Sequence, residues 1–435
     1  MTDLSPPPGA QGVLPSTPAL DEESPFATMM SLYDEAAAHL GVAPSNYAIM
    51  RKPDRETTVA VPVQLDDGTW TVFDGYRVQH NAGLGPFIGP MRLSPTLKID
   101  ELRALAAWMT WKCALLNIPL GGAAGGIRVN PKRRSHDEIE RAVRRYTAGL
   151  LDVLGPDRDI LTPDVGMDPE MMAWVMDTVS THERHTVSGV VTGKPTELGG
   201  TSMSREAVAI GLEVVLRLAI ETYRLDSDPL RIHIQGIGQV GGTLARLLHG
   251  KGHRITGLAD VTGALFDANG LDVPAVLDWA GHSGTLEGAP GKHAWITNEE
   301  LFHERCEVLF PCAVPNAIHS RNAPDVQAKL IIEGAHGPVS ARADRILHER
   351  GVPVVPDILA NAGGVLADYF EWVQNRQGLA WIEPVVRKRL ARFMTEAWTA
   401  VTKVQMRHGV RMRMAANMLA VGRVARADQS RGIYA

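Results

Sequence analysis

Cysteine is scarce. The 435-residue chain has three, Cys113, Cys306 and Cys312, an odd number without CxxC spacing. That argues against a disulfide framework and against a zinc site, so no metal is expected and the three read as core thiols in a reducing cytoplasm. No run of about 18 apolar residues is available to span a bilayer. The first two dozen residues carry Pro6-Pro7-Pro8 and Asp21-Glu-Glu-Ser-Pro25 where a leader would need a basic stretch followed by an apolar one. Residues 1–24 therefore read as a disordered tail and not as a signal peptide. Excess charge is also missing: the formal net value is −5, which gives no reason to expect nucleic acid or an anionic membrane as partner. No internal repeat is visible, and low complexity is confined to the tail. These absences leave a soluble, cytoplasmic protein that handles a small molecule.

Hydrophobic residues make up 45% of the chain and charged residues 21%, and the length exceeds one ordinary core, so two globular domains are expected. Residues 25 to about 40 repeat apolar side chains at helical spacing. Thr57 to Gln64 and Trp70 to Gln79 flank Asp66-Asp67-Gly68 as a hairpin. Lys98 to Leu116 reads as a helix with Leu102, Leu105, Met109 and Leu116 on one face, and a further helix is expected over Arg141 to Leu154. Asp159 to Pro163 reads as a strand. A loop containing Asp164 follows it, ahead of a helix opened by Asp168-Pro169, and such strand–helix loops are where α/β folds carry functional groups. A turn-rich stretch from Thr192 to Gly200 marks a boundary.

Beyond it, strand Leu230 to Gln235 runs into Gly236-Ile-Gly238-Gln239-Val-Gly241 and a helix, and a second strand ends in Asp260. GxGxxG between strand and helix, with an acid about 20 residues on, is a dinucleotide-binding signature. The glycines let a pyrophosphate reach the helix N-terminus, where backbone N–H groups favour anions. Asp260 would bond a ribose 2′-hydroxyl and repel a 2′-phosphate, which favours NAD over NADP. Continued strand–helix alternation to Val365 implies a doubly wound parallel sheet. Only helices follow. The expected plan is α/β: a substrate-binding and oligomerisation domain over 25–200, a Rossmann-type domain over 201–365, and helices over 366–435 returning to the first domain.

Five further segments carry a resemblance. Gly75-Tyr-Arg-Val-Gln-His-Asn81, Ala106-Ala-Trp-Met-Thr-Trp-Lys-Cys113, Thr192-Gly-Lys-Pro195, Pro356-Asp-Ile-Leu-Ala-Asn-Ala-Gly-Gly364 and Tyr369-Phe-Glu-Trp-Val-Gln-Asn375 are similar to the glutamate branch of the glutamate/leucine/phenylalanine/valine dehydrogenase family. The resemblance covers the chain from about residue 45 to the C-terminus. It implies a hexameric, NAD(P)-dependent enzyme that interconverts glutamate and 2-oxoglutarate plus ammonium, with substrate held between two domains. It also implies that Lys112 binds substrate carboxylate and that Asp164 moves protons to and from the amine.

Other positions depart from the family pattern. In the glycine loop Gly121-Gly-Ala-Ala-Gly-Gly-Ile-Arg128 the family's catalytic lysine is Ala124. A lysine for the substrate carboxylate is Ile88, the serine that reaches the distal carboxylate is Asp368, a threonine of the cofactor site is Val208, and an asparagine of the glycine motif is Gln239. Loss of a positioned acid/base group costs about 10²–10⁴-fold in rate. Loss of a charge-assisted hydrogen bond to a carboxylate costs roughly 1.5–3 kcal/mol. A carboxylate about 4 Å from another adds repulsion on the order of 4 kcal/mol at an effective dielectric near 20. The expectation is a catalytically impaired subunit that assembles as a homo- or hetero-hexamer with an active paralogue and regulates it. The alternatives are an active NAD-dependent dehydrogenase for glutamate or another amino acid or 2-oxo acid, and an amino-acid-sensing module in which Asp368 meets an amine.

Overall fold

The computed structural model describes residues 25–225 and 228–432; the tail expected over 1–24 lies outside them. The first half runs α1 (Pro25–Leu40), α2 (Pro44–Met50), β1 (Arg55–Gln64), β2 (Trp70–Asn81), β3 (Phe87–Leu93), α3 (Ile99–Leu116), β4 (Gly121–Ile127), α4 (His136–Ala148), β5 (Asp159–Pro163) and α5 (Pro169–Glu183). Its five strands form one sheet in the order β1-β2-β4-β3-β5. The β1–β2 hairpin is antiparallel over its whole length, from Arg55 opposite Gln79 to Gln64 opposite Trp70.

Helix boundaries follow local chemistry. Ser135 and Glu138 form a capping box that starts α4, so this helix begins five residues before the expected Arg141 and ends at Ala148, short of Leu154. Asp168 accepts from the Met171 backbone N–H and Pro169 occupies the first turn of α5. Asn117, in the left-handed region at φ 56°, closes α3.

The largest correction concerns the glycine loop. Gly121–Ile127 is strand β4, every residue of it buried, paired antiparallel with β2 and parallel with β3. Glycine is required there by close packing and not by turning. A Cβ at Gly122 would lie 2.2 Å from the Thr110 backbone nitrogen of α3, which lies directly on the strand. A run of small residues weakens a strand on intrinsic grounds, and tertiary burial between two partner strands overrides that.

The second half runs α6 (Ala207–Tyr223), β6 (Arg231–Gln235), α7 (Gln239–Gly250), β7 (Arg254–Ala259), β8 (Ala264–Phe266), α8 (Val273–Ser283), β9 (Ala294–Ile296), α9 (Asn298–His303), β10 (Cys306–Pro311), β11 (Ala328–Ile332), α10 (Ala341–Glu349), β12 (Val354–Val355) and α11 (Asp357–Ala360). The strand order is β12-β11-β10-β6-β7-β8-β9. Five strands are parallel, as expected of a Rossmann-type sheet, but β8 and β9 join antiparallel at one edge, so the sheet is mixed.

Three helices close the described residues, α12 (Gly363–Gln377), α13 (Glu383–His408) and α14 (Met412–Arg431). They return to the N-terminal sheet domain. Arg423 donates to the Ala114 and Leu115 carbonyls at the end of α3, and Asn81 of β2 donates to Asp428. Arg411 joins Glu35 of α1 to Asp344 of α10. One apolar core runs through both sheets and holds Trp111, Ile88, Ala124, Ile232, Phe310, Leu366 and Met418. Cys113 and Cys306 are buried, Cys312 is partly so, and all three are free. No helix among the described residues is long and apolar enough to cross a membrane.

Candidate active-site cleft

The candidate site residues lie in two groups, one on α3, β3 and the end of β5, the other on α12 and the segment after β11. Lys112, 1% exposed, projects from α3. Its Nζ stands 3.1 Å from Nδ1 of His336, a residue 224 positions away in the second group. Burial pushes the Lys112 ammonium down to about 8, while Asp357 and Asp164 oppose the shift. The Lys112 charge, then burial, then Arg92 hold His336 well below the ordinary histidine range, so the ring is neutral and Nδ1 is free to accept.

Asp164 follows β5 directly. Arg92 of β3 donates to its Oδ2 through Nε at 2.9 Å and through Nη2, and bonds Glu101 through Nη1. The other Asp164 oxygen accepts from the Val165 backbone N–H at 2.8 Å. The carboxylate expected to move protons thus lies in an ion pair.

Asp368 lies one turn inside α12 and accepts from Thr192 Oγ1 at 2.7 Å. Burial pushes its carboxyl up to about 7; Glu371 adds to the rise, and Thr192 and Lys194 oppose it. One helical turn on, Glu371 is paired with Lys194 at 2.8 Å, with neither side chain exposed. Asp368 and Lys112 both act on the Cys113 thiol, which burial first of all drives far above its ordinary range. Asp368 is bonded to Thr192, whereas Lys112 is bonded to His336.

Ile88 and Ala124 are fully buried in the apolar core. Ile88 sits opposite Gly122 on one side and Ile160 on the other, and Ala124 opposite Val78. Neither offers a group that titrates or bonds a carboxylate.

The glycine motif occupies the turn from β6 into α7. Gly236 adopts φ +93°, a Cβ at Gly241 would lie 1.8 Å from the Gly236 carbonyl oxygen, and a Cβ at Gly238 would meet nothing within 4 Å. Gly236 and Gly241 are thus needed for the turn itself, whereas Gly238 keeps clear space before an α7 N-terminus that no side chain caps. That is the cradle a pyrophosphate requires, and the residues present fit one. Gln239 donates to the Arg205 carbonyl at 3.1 Å. Val208, in the first turn of α6, packs toward Gly364, where an added Cβ would meet it at 3.0 Å.

Asp260 follows β7 directly and is heavily engaged. Its Oδ1 accepts from Thr262 and its Oδ2 from the Leu286 backbone N–H at 2.6 Å. Although burial alone would raise the carboxyl, the Thr262, Leu286 and Gly263 bonds hold it below the usual range. Asp260 also accepts from the Gly263 N–H and the Thr285 hydroxyl, both at 3.3 Å, so it is ionised and fixed in direction, and a ribose hydroxyl would have to take the place of one of these longer bonds.

Four participants have no role assigned by the sequence. His336 stands alone in the sequence and gave no signal. Arg92 lies outside the segments that carry the resemblance. Thr192 and Lys194 had assigned neighbours but no role, although Asp368 and Glu371, three apart on one helix face, were a usable hint. As a possible metal cluster, His136, Asp137 and Glu140 of α4 place one ligand atom each within 4.8 Å of one another, the first two exposed and Glu140 half-buried.

Residues 199–432 match the Glutamate/Leucine/Phenylalanine/Valine dehydrogenase family, and residues 53–181 match its Glu/Leu/Phe/Val dehydrogenase dimerisation domain. The chain belongs to this family. Within it, the chain is 42% identical over 416 residues to the glutamate dehydrogenase of Thermotoga maritima, covering 95% of this chain and 100% of that protein. It is 39% identical to the catabolic NAD-specific glutamate dehydrogenase RocG of Bacillus subtilis, over 94% of this chain and 96% of that one. Among solved structures, the hetero-hexameric glutamate dehydrogenase of Thermus thermophilus in its Leu-bound form superposes with a TM-score of 0.91 at 38% identity, covering 96% of this chain and 99% of that one.

Proposed function

We propose that this chain is a catalytically impaired glutamate dehydrogenase-family subunit that assembles into a hexamer with an active paralogue and regulates it. The family reaction is L-glutamate, NAD(P)+ and water to 2-oxoglutarate, ammonium and NAD(P)H. The observation that carries the reading is Ala124. The position assigned to the catalytic lysine is a buried methyl group in a packed strand, with an equally apolar Ile88 on the neighbouring strand. Asp164, the surviving proton-transfer candidate, is engaged by Arg92 and has no lysine beside it in β4. The Thermus thermophilus relative is hetero-hexameric, which supports a mixed assembly.

The dinucleotide cradle supports retention of cofactor. Gly236, Gly238 and Gly241 would hold the pyrophosphate, and Asp260 would receive the adenosine ribose hydroxyls, which favours NAD. Bound there, NAD would accept or donate hydride. The chain's own contribution is to hold the cofactor and, through Lys112, a carboxylate. Proton transfer is the function weakened by Ala124. The test is assay of the purified chain alone and mixed with a sister chain carrying lysines at the positions of Ile88 and Ala124. Activity appearing only in the mixture, with co-purification of the two, is the expected result.

A second reading, an active NAD-dependent dehydrogenase for glutamate or another amino acid, is favoured by the retention of Lys112 and Asp164 together with the glycine turn. Turnover of the single chain within about a hundredfold of the ordinary median of ~10 s⁻¹ would establish it. An amino-acid sensor is favoured by Asp368 alone. Calorimetry against amino acids, with and without Asp368→Ala, tests that reading.

A further inference from the structure

The contact between Lys112 and His336 joins the two sides of the cleft at the ammonium that the family reading gives to a ligand carboxylate. Nothing else in the reading of the site uses it. Lys112 is anchored in α3, whose preceding turn carries Trp108, and the Trp108 and His336 ring centroids are 6.4 Å apart. The segment carrying His336 is itself held in place. The Gly337 backbone N–H donates to Asp357 at 2.9 Å, and a Cβ at Gly337 would meet the Trp108 ring at 3.3 Å, so this backbone is seated directly on α3. Asn361 donates to the Ala335 carbonyl at 3.0 Å. His336 is thus delivered to Lys112 by a braced segment, and with a neutral ring it presents an acceptor to a buried cation.

We propose that His336 is a built-in competitor for Lys112: it occupies the ammonium in the absence of ligand, and a carboxylate entering the cleft has to displace it, which couples carboxylate binding to separation of the two cleft walls. This rests on the reading of Lys112 as the carboxylate-binding residue. A buried ammonium left alone is costly, and the imidazole nitrogen satisfies one of its three donors without adding charge. A carboxylate supplies both an acceptor and the opposite charge, so it binds more strongly once admitted. The energetic consequence is a reduced apparent affinity, because only molecules with a free Lys112 can bind. A latch closed nine-tenths of the time weakens binding about tenfold.

The experiment uses the full chain and 2-oxobutyrate, a monocarboxylate with no distal charge to meet Asp368, in calorimetric titrations of the wild type, His336→Ala, His336→Phe and Lys112→Met. His336→Phe keeps a ring beside Trp108 and removes the acceptor, so it separates packing from competition. Both His336 variants are expected to bind about tenfold more tightly than the wild type, with Lys112→Met losing binding. In the ligand-free protein, His336→Ala is expected to speed amide exchange in residues 334–338. Unchanged or weaker binding by both His336 variants, with Lys112→Met still losing it, would overturn the competitor while leaving the Lys112 reading intact. Wild-type-like binding by Lys112→Met, or no binding by any of the four chains, would remove the Lys112 reading and the competitor with it. Unchanged exchange in residues 334–338 would show that the contact does not hold the cleft walls together and would likewise overturn it.

Discussion

Lys194 and Glu371 form an ion pair at 2.8 Å in which neither side chain reaches solvent, joining the turn-rich segment after α5 to the middle of α12. The surrounding bonds complete it. Lys194 also donates to the Val191 carbonyl, and the second Glu371 oxygen accepts from the Thr201 backbone N–H. A pair satisfied in this way fixes how α12 sits beside the cleft, whatever its net contribution to stability.

Lys194→Met leaves Glu371 buried without its cation and is expected to cost about 3–5 kcal/mol. The double variant Lys194→Met/Glu371→Leu should recover most of that loss, because no unpaired charge remains. Denaturant unfolding of the two single variants and the double variant closes the cycle. Equal destabilisation in all three would show that the pair contributes by packing alone.

Asp368 should lower stability at neutral and alkaline pH. Its folded carboxyl is pushed up to about 7 from an ordinary value near 4. Below the unfolded value both states are protonated and the group is neutral to folding. As pH rises toward 7 the unfolded chain ionises first, so the unfolded state gains, and above 7 the penalty is complete. Asp368→Ser is expected to stabilise the protein by up to about 4 kcal/mol at pH 8, roughly three pH units at ~1.4 kcal/mol each, and by almost nothing at pH 4. A gain independent of pH would contradict this account.

The second and third glycines of the dinucleotide turn should respond differently. Gly241→Ala places a Cβ against the Gly236 carbonyl and should destabilise the fold by roughly 3 kcal/mol or more. Gly238→Ala meets no protein atom and should change stability by no more than about 0.5 kcal/mol. NADH affinity of the Gly238 variant should nonetheless fall, since the methyl group enters the space the pyrophosphate would use. Thermal melts with NADH fluorescence titrations check both. Undiminished NADH binding by Gly238→Ala would remove the turn from the cofactor site.

Restoring the lost groups should restore chemistry. Ala124→Lys with Ile88→Lys and Asp368→Ser is expected to raise glutamate oxidation by the single chain by about 10²-fold or more, the typical contribution of one acid/base group. Ala124→Lys alone should do less, because Ile88 and Asp368 would still oppose the substrate's carboxylates. A triple variant that folds and binds NADH but gains nothing would place the defect outside these three positions.

Periodicity, turn chemistry and glycine spacing were enough to read the β1–β2 hairpin, the α3 face, the β6–α7 dinucleotide turn and the closing helices, because each is dictated within a few residues. Boundaries were less legible. The start of α4 is set by the Ser135–Glu138 capping box and not by the apolar period, and the short β8 and β9 strands carry too few residues to show a period. The motifs also brought Lys112, Asp164, Ile88, Ala124 and Asp368 to notice as substrate-site positions.

Local sequence alone determined that position 124 has no amine, that position 368 has a carboxylate, and that a phosphate-sized turn precedes α7. Tertiary structure decided what those identities mean. Gly121–Ile127 is a strand because β2 and β3 pair with both of its edges and α3 covers it, a result of contacts tens of residues distant. Arg92 with Asp164, Lys194 with Glu371 and Lys112 with His336 lie 72, 177 and 224 residues apart. Charges pair where the fold removes water between them, and sequence separation carries no record of where that happens.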